Sequence, residues 1–102
     1  MQQLVQIFLP LYDNKGKRFP ARAYATERDI LVERFGGLTA YMRSPAQGLW
    51  RDGGATSRDE IVILEVMVKR INRAWWKRYR HKLQQHFKQK EIVVRSQVMK
   101  LL

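Results

Sequence analysis

The chain alternates between continuous apolar runs and amphipathic stretches, and the order of the two kinds predicts its fold. Residues 4–12 (LVQIFLPLY) are an apolar run with β-branched and aromatic members, which predicts a strand ending near Pro10. Asp13-Asn14-Lys15-Gly16 follows and has the chemistry of a turn: short capping side chains, then a glycine free to take positive φ. Pro20 suits the first turn of a helix. From there Tyr24, Arg28, Leu31, Val32 and Phe35 recur at helical spacing, and Gly36-Gly37 ends the helix.

Residues 38–43 (LTAYMR) alternate weakly and predict a second strand. Residues 44–58 hold Pro45, Gly48, Gly53 and Gly54 around Leu49-Trp50. They predict either a long hairpin connection or a strand interrupted by a bulge. Residues 61–68 (IVILEVMV) are the strongest strand in the chain. Asn72 fits the N-cap of a second helix running from Arg73 to about Lys88, with Trp76, Tyr79, Leu83 and Phe87 as its apolar stripe. Residues 91–99 (EIVVRSQVM) predict the last strand.

The order is therefore β-α-β-β-α-β. It predicts the α+β class and the ferredoxin-like fold, a four-stranded antiparallel sheet with both helices on one face, as a single domain over residues 1–102. Strands one and three are central in that fold and should be the most apolar, as they are. Strands two and four should be edges, and they carry Thr39, Arg43, Arg95, Ser96, Gln97 and Lys100.

Period two then splits each strand between two faces. Val5, Ile7, Leu9, Val62, Leu64, Val66, Val68, Ile92, Val94 and Val98 form aliphatic sets expected beneath the helices. The other face carries Phe8, Ile61, Ile63, Met67, Val93 and Met99, with Gln6, Glu65, Arg95 and Gln97 among them. A patch that apolar predicts an interface. Self-association as a dimer or trimer is favoured over base stacking, because strand three offers no aromatic ring beside Phe8. Glu65 and Arg95 are expected to pair on this face, fixing strand register or interface geometry.

Charge changes the picture most at the second helix. The chain has 20 basic and 9 acidic residues, a formal charge of +11. Between Val66 and Lys90 there is no acidic residue and there are nine basic ones. Arg73, Lys77, Arg78, His81, Lys82 and Lys88 are the candidate anion-binding groups, expected on the outer face of the helix. They suit a polyanion such as nucleic acid, an anionic lipid or an acidic protein. A solvated face that keeps the protein soluble carries the same pattern.

Little else points to chemistry. Without cysteine there is no disulfide, thiolate metal site or cysteine nucleophile. His81 and His86 lie about 140° apart around a helix and cannot share a metal. No Ser/His/Asp arrangement is evident, so no catalytic residue, metal or cofactor is assigned. No apolar run approaches a membrane span and no signal peptide is seen, which predicts a cytoplasmic protein. Trp50 in its glycine-rich segment, with Arg51 and Arg58, reads either as an anchor or as a loop closing over an anion between subunits.

The strings Phe35-Gly36-Gly37-Leu38-Thr39-Ala40-Tyr41, Gly48-Leu49-Trp50-Arg51 and Glu65-Val66 resemble a group of short bacterial proteins of unknown function. The resemblance implies a bacterial origin and a ferredoxin-like domain, and transfers no active-site residue. In element order alone the chain is also similar to the PII-like and CutA-like trimers. Three functions follow as expectations. The leading one is a non-enzymatic, self-associating module that binds an anionic partner through the basic helix. The second is a PII-like small-ligand sensor with the Trp50 loop as lid. The third is a small enzyme with its site on the open sheet face around Glu65, Arg95 and Tyr41.

Overall fold

The computed structural model describes the backbone of residues 2–52 and 55–102, and the side chains of residues 2–40 and 61–102. The elements are β1 (Gln2–Pro10), α1 (Ala21–Phe35), β2 (Thr39–Asp52), β3 (Ala55–Val68), α2 (Arg73–His86) and β4 (Val94–Met99). The four strands form one antiparallel sheet in the order β2-β3-β1-β4. This is the ferredoxin-like arrangement, with the two most apolar strands at its centre.

The core follows from the period-two pattern. Val5 pairs with Val66, Ile7 with Leu64 and Leu9 with Val62, and all six are buried. Both helices lie over this aliphatic floor. Helix α1 contributes Ala23, Tyr24 and Leu31; α2 contributes Trp76, Tyr79 and Leu83, and Phe87 follows at its end. Phe87 is fully buried, with ring centroids 5.0 Å from Phe19 and 5.6 Å from Tyr24.

Three expectations are decided by the fold. First, of the two readings of residues 44–58, the strand interrupted by a bulge is the one adopted. The β2–β3 ladder runs from Ala46↔Ile61 to Asp52↔Ala55, with a register irregularity between Tyr41 and Ala46. Since β1 reaches only Pro10↔Ile61, the pairs from Gln47↔Glu60 onward form a two-stranded ribbon. Second, Val98 is 61% exposed, whereas Val94 packs against the core. The helices cover the central strands, and the far end of edge strand β4 lies beyond them. Third, α1 buries the row Ala23, Glu27 and Leu31, leaving Val32 45% exposed and Arg28 half-buried. A row of i, i+4 positions meets the sheet, and Val32 falls to its side.

Local chemistry fixes the ends of the helices. Asn72 Oδ1 accepts from the Trp75 amide at 3.0 Å, as the sequence predicts. Gly36 ends α1 at φ 82°, its N–H donating to the Val32 carbonyl at 2.7 Å. Helix α2 stops at His86, sooner than the stripe alone suggests. The Lys88 amide donates to the Gln85 carbonyl and the Gln89 amide to that of Gln84, the paired bonds of a Schellman motif. That motif requires a left-handed residue, and Lys88 fills the position at φ 52°. Replacing Lys88 by Gly should therefore raise stability by about 1 kcal/mol. Urea unfolding would show it as a higher midpoint at unchanged slope; an unchanged midpoint would mean that the strain is relieved elsewhere.

Candidate functional site

The open face of the sheet is built by register. Thr39, Glu65, Gln6 and Arg95 stand side by side across all four strands. Gln6 Nε2 donates to Glu65 Oε2 at 2.6 Å, and Arg95 Nε donates to Gln6 Oε1 at 2.9 Å. Glu65 and Arg95 are thus joined through Gln6, which register places between them. The Arg95 guanidinium also lies 4.6 Å from the Phe8 ring centroid, a cation–π distance. Phe8 and Ile63 are paired and half-buried. Val93 accepts from the Phe8 amide at 3.0 Å and is 51% exposed, as is Met67. The Tyr41 backbone pairs with Ile63, while its side chain lies outside the described residues.

At one end of this face the turn after α1 overhangs the sheet. It leaves a recess of about 490 Å³ lined by Phe35, Gly36, Gly37, Leu38 and Thr39 on one side and by Leu4, Glu65, Met67 and Met99 on the other.

Arg73, Lys77, Arg78, His81, Lys82 and Lys88 are all exposed. They do not share one face. Arg73 and Lys77, with Arg80, line a groove of about 310 Å³ whose apolar members are Ile71, Trp76 and Val94, beside β4. Arg78 and Lys82 line a smaller pocket with Ile30, Trp75 and Tyr79, toward α1. A helix turns about 100° per residue, so steps of three and four keep Arg73, Lys77 and Arg80 on one flank and Arg78 with Lys82 on the other. Lys88 lies past the helix, where its carbonyl accepts from Asn14 Nδ2 at 3.2 Å.

The proposed loop residues are placed differently from expectation. The backbones of Trp50, Arg51 and Arg58 belong to the ribbon, opposite Ser57, Thr56 and Leu49. Their side chains lie outside the described residues.

One group was missed. Glu27 is 5% exposed and is the buried charged side chain among the described residues. Its Oε1 accepts from the Tyr79 hydroxyl at 3.0 Å, and its Oε2 lies 2.7 Å from His86 Nδ1. Glu27 thereby ties α1 to the middle and to the last residue of α2. The signal was present: position 27 lies three residues after Tyr24 and four before Leu31, on the buried row. Burial pushes the Tyr79 phenol far above its ordinary range, and the Glu27 charge and hydrogen bond add to this.

Tyr24 donates to the Pro10 carbonyl at 2.7 Å, and burial pushes its pKa up to about 12, against the opposing charge of Arg18. A phenol whose folded pKa is raised favours the fold below the unfolded value near 10 and loses that contribution as pH rises toward 12. Absorbance titration of Tyr24→Phe against the parent should therefore remove a phenolate step near pH 12. If the step removed lies near pH 10 instead, Tyr24 is solvated in solution.

Among the described residues no cluster of three or more His, Cys, Asp or Glu is placed to hold a metal ion. No described helix is long and apolar enough to cross a membrane.

No family model matches the sequence, and no curated protein matches it. Solved structures match in fold. The divalent cation tolerance protein CutA1 of Thermus thermophilus aligns at TM-score 0.63 and 13% identity, over 97% of this chain and 84% of its own. The CutA1 protein of Ehrlichia chaffeensis aligns at TM-score 0.63 and 9% identity, over 99% and 83%. A phage SAM lyase in complex with S-methyl-5′-thioadenosine aligns at TM-score 0.60 and 14% identity, over 94% and 80%. At these identities the likeness is one of fold, and it agrees with the strand order and helix placement above.

Proposed function

We propose that this chain is a non-enzymatic, self-associating binding module of the cytoplasm. Copies join through the open sheet face, and the cations flanking α2 meet an anionic partner, nucleic acid or an acidic protein. The observation that carries the reading is the open face itself. Phe8, Ile63, Met67 and Val93 leave apolar surface on a sheet whose other side is already filled by two helices. The similarity in element order to PII-like and CutA-like trimers points the same way. The outer flanks of α2 remain available in such an assembly, with cations on both.

Sedimentation should give a mass that is a multiple of the 12.2 kDa chain. Phe8→Asp combined with Val93→Asp should return it to one chain. A parent protein that sediments as one chain at tens of micromolar would remove the reading. In the oligomer, reversing Lys77, Arg78 and Lys82 to Glu should abolish binding of a labelled polyanion at physiological salt.

The recess at the end of the face supports a second reading, a small-ligand site. The phage enzyme of the same fold was solved with S-methyl-5′-thioadenosine. That supports an organic ligand of comparable bulk at a recess of about 490 Å³ here. The ribbon position of Trp50, Arg51 and Arg58 gives no support to a loop closing over it.

A further inference from the structure

We infer that the free edge of β4 takes up an extended acidic segment of a partner protein, added to the sheet as a further strand alongside α2. The inference rests on the anionic-partner reading and names the kind of partner, its conformation and the place where it docks. Strand β4 ends the sheet, and β3 and β1 separate it from β2, so among the described residues no strand lies on its outer side. The hydrogen-bond pattern shows which of its groups face outward. The Phe8 amide donates to the Val93 carbonyl, and the register continues through Gln6↔Arg95, Leu4↔Gln97 and Gln2↔Met99. Antiparallel ladders bond at every second residue, so Arg95, Gln97 and Met99 turn their backbone groups toward β1. Val94, Ser96 and Val98 turn theirs away from the sheet. Ser96 and Val98 are exposed. A row of unpaired amides and carbonyls at strand spacing is a template for another strand.

The charge beside that edge decides what the added strand carries. The groove of about 310 Å³ next to β4 has Arg73, Lys77 and Arg80 on its rim and Ile71, Trp76 and Val94 as its apolar members. None of the three cations is in an ion pair with a described residue. Val94, Ser96 and Val98 carry their side chains on the helix side of the sheet, and Val94 lines the groove. A strand added at this edge alternates in the same way, so every second side chain of it faces the groove. Carboxylates at those positions meet two guanidinium forks and an ammonium group. Nucleic acid matches the charge but not the edge. Its backbone forms no ladder with β4, and Trp76 is only 7% exposed, which leaves no ring face for a base to stack on. The groove lies on the opposite side of the sheet from the open face, so both can be occupied at once.

The probe is a short peptide of alternating glutamate and valine, capped at both ends and titrated into the ¹⁵N-labelled full chain. The expected result is saturable binding that slows hydrogen exchange of the Ser96 and Val98 amides at least about tenfold. The same peptide with lysine for glutamate should bind at least about tenfold more weakly. Of the two forms of the glutamate peptide N-methylated at alternate residues, the one whose methyl groups face β4 should bind at least about tenfold more weakly than the other. Lys77→Glu combined with Arg80→Glu should abolish binding. Ser96→Pro should abolish it too, since it removes an outward amide hydrogen without breaking a bond to β1. If that variant does not fold, the N-methylated peptides still test the ladder. Binding without protection of Ser96 and Val98, or equal binding of the two N-methylated forms, would overturn strand addition while leaving an acidic partner. Equal binding of the lysine peptide would overturn the charge assignment. A labelled single-stranded DNA that binds more tightly than the peptide and displaces it would overturn the choice of partner while leaving the anionic-partner reading. Binding of neither peptide nor DNA would overturn both. Protection of the same amides in the protein alone, lost on dilution, would also overturn the inference, because a second copy would then hold the edge.

Discussion

Phe87→Ala is expected to destabilise the protein by about 4 kcal/mol, the largest loss of any single truncation considered. Phe87 is fully buried just past the end of α2, and its ring meets Phe19, Tyr24 and His86. These three come from the 11–19 connection, from α1 and from α2. Truncation therefore opens a void at a junction, where the backbone cannot close from one side alone. A domain of this size has only about 5–15 kcal/mol in total, so the variant should sit near its unfolding threshold. Chemical denaturation would show a much lower midpoint. A loss below about 1 kcal/mol would mean that the 11–19 connection collapses into the space and that the ring is replaceable.

Glu27→Ala is expected to cost about 3 kcal/mol, for a different reason. The Tyr79 hydroxyl would remain buried without its acceptor, and His86 would lose its carboxylate. His86 is itself 39% exposed, so water can replace its partner, and the larger share of the loss falls on Tyr79. The double variant Glu27→Ala with Tyr79→Phe separates the two contributions. It should recover part of the loss, because no orphaned hydroxyl remains. If the double variant is no more stable than the single one, the bond to Tyr79 is not what the carboxylate supplies.

Glu27 also shows where sequence reasoning succeeds and where it stops. Strand polarity was legible because the central strands carry the longest apolar runs, and residues 5–9 and 61–68 have them. The Asn72 cap was legible because it depends on one side chain and its nearest amides. The buried row of α1 was misread because Val32 is apolar and Glu27 is charged. A pattern of hydropathy cannot register a carboxylate whose two partners lie more than fifty residues away. The basic helix was misread more mildly. Charge density along the chain was plain, but Arg73 and Lys77 were grouped with Arg78 and Lys82 although helical rotation sends them to opposite flanks. Residues 44–58 were ambiguous because glycine and proline mark both loops and bulged strands, and only pairing with residues 55–61 decides between them. The recess at the Phe35–Thr39 turn was invisible as a recess. Its residues were noticed as a string, while its far wall comes from Leu4, Met67 and Met99 on three other strands.

Strand β1 is the first strand of the fold to leave the ribosome and the last to be completed. It lies between β3 and β4, and Gln2 pairs with Met99. Until β4 emerges, one edge of an apolar central strand has no neighbour, and no local hairpin can supply one. Folding of the sheet must therefore wait for β4, and the nascent domain carries an open edge until that strand emerges. The same geometry sets β1 and β4 side by side, so that a short linker joining them, with a new opening placed in the 11–19 connection, would turn the slowest contact of the fold into a local hairpin.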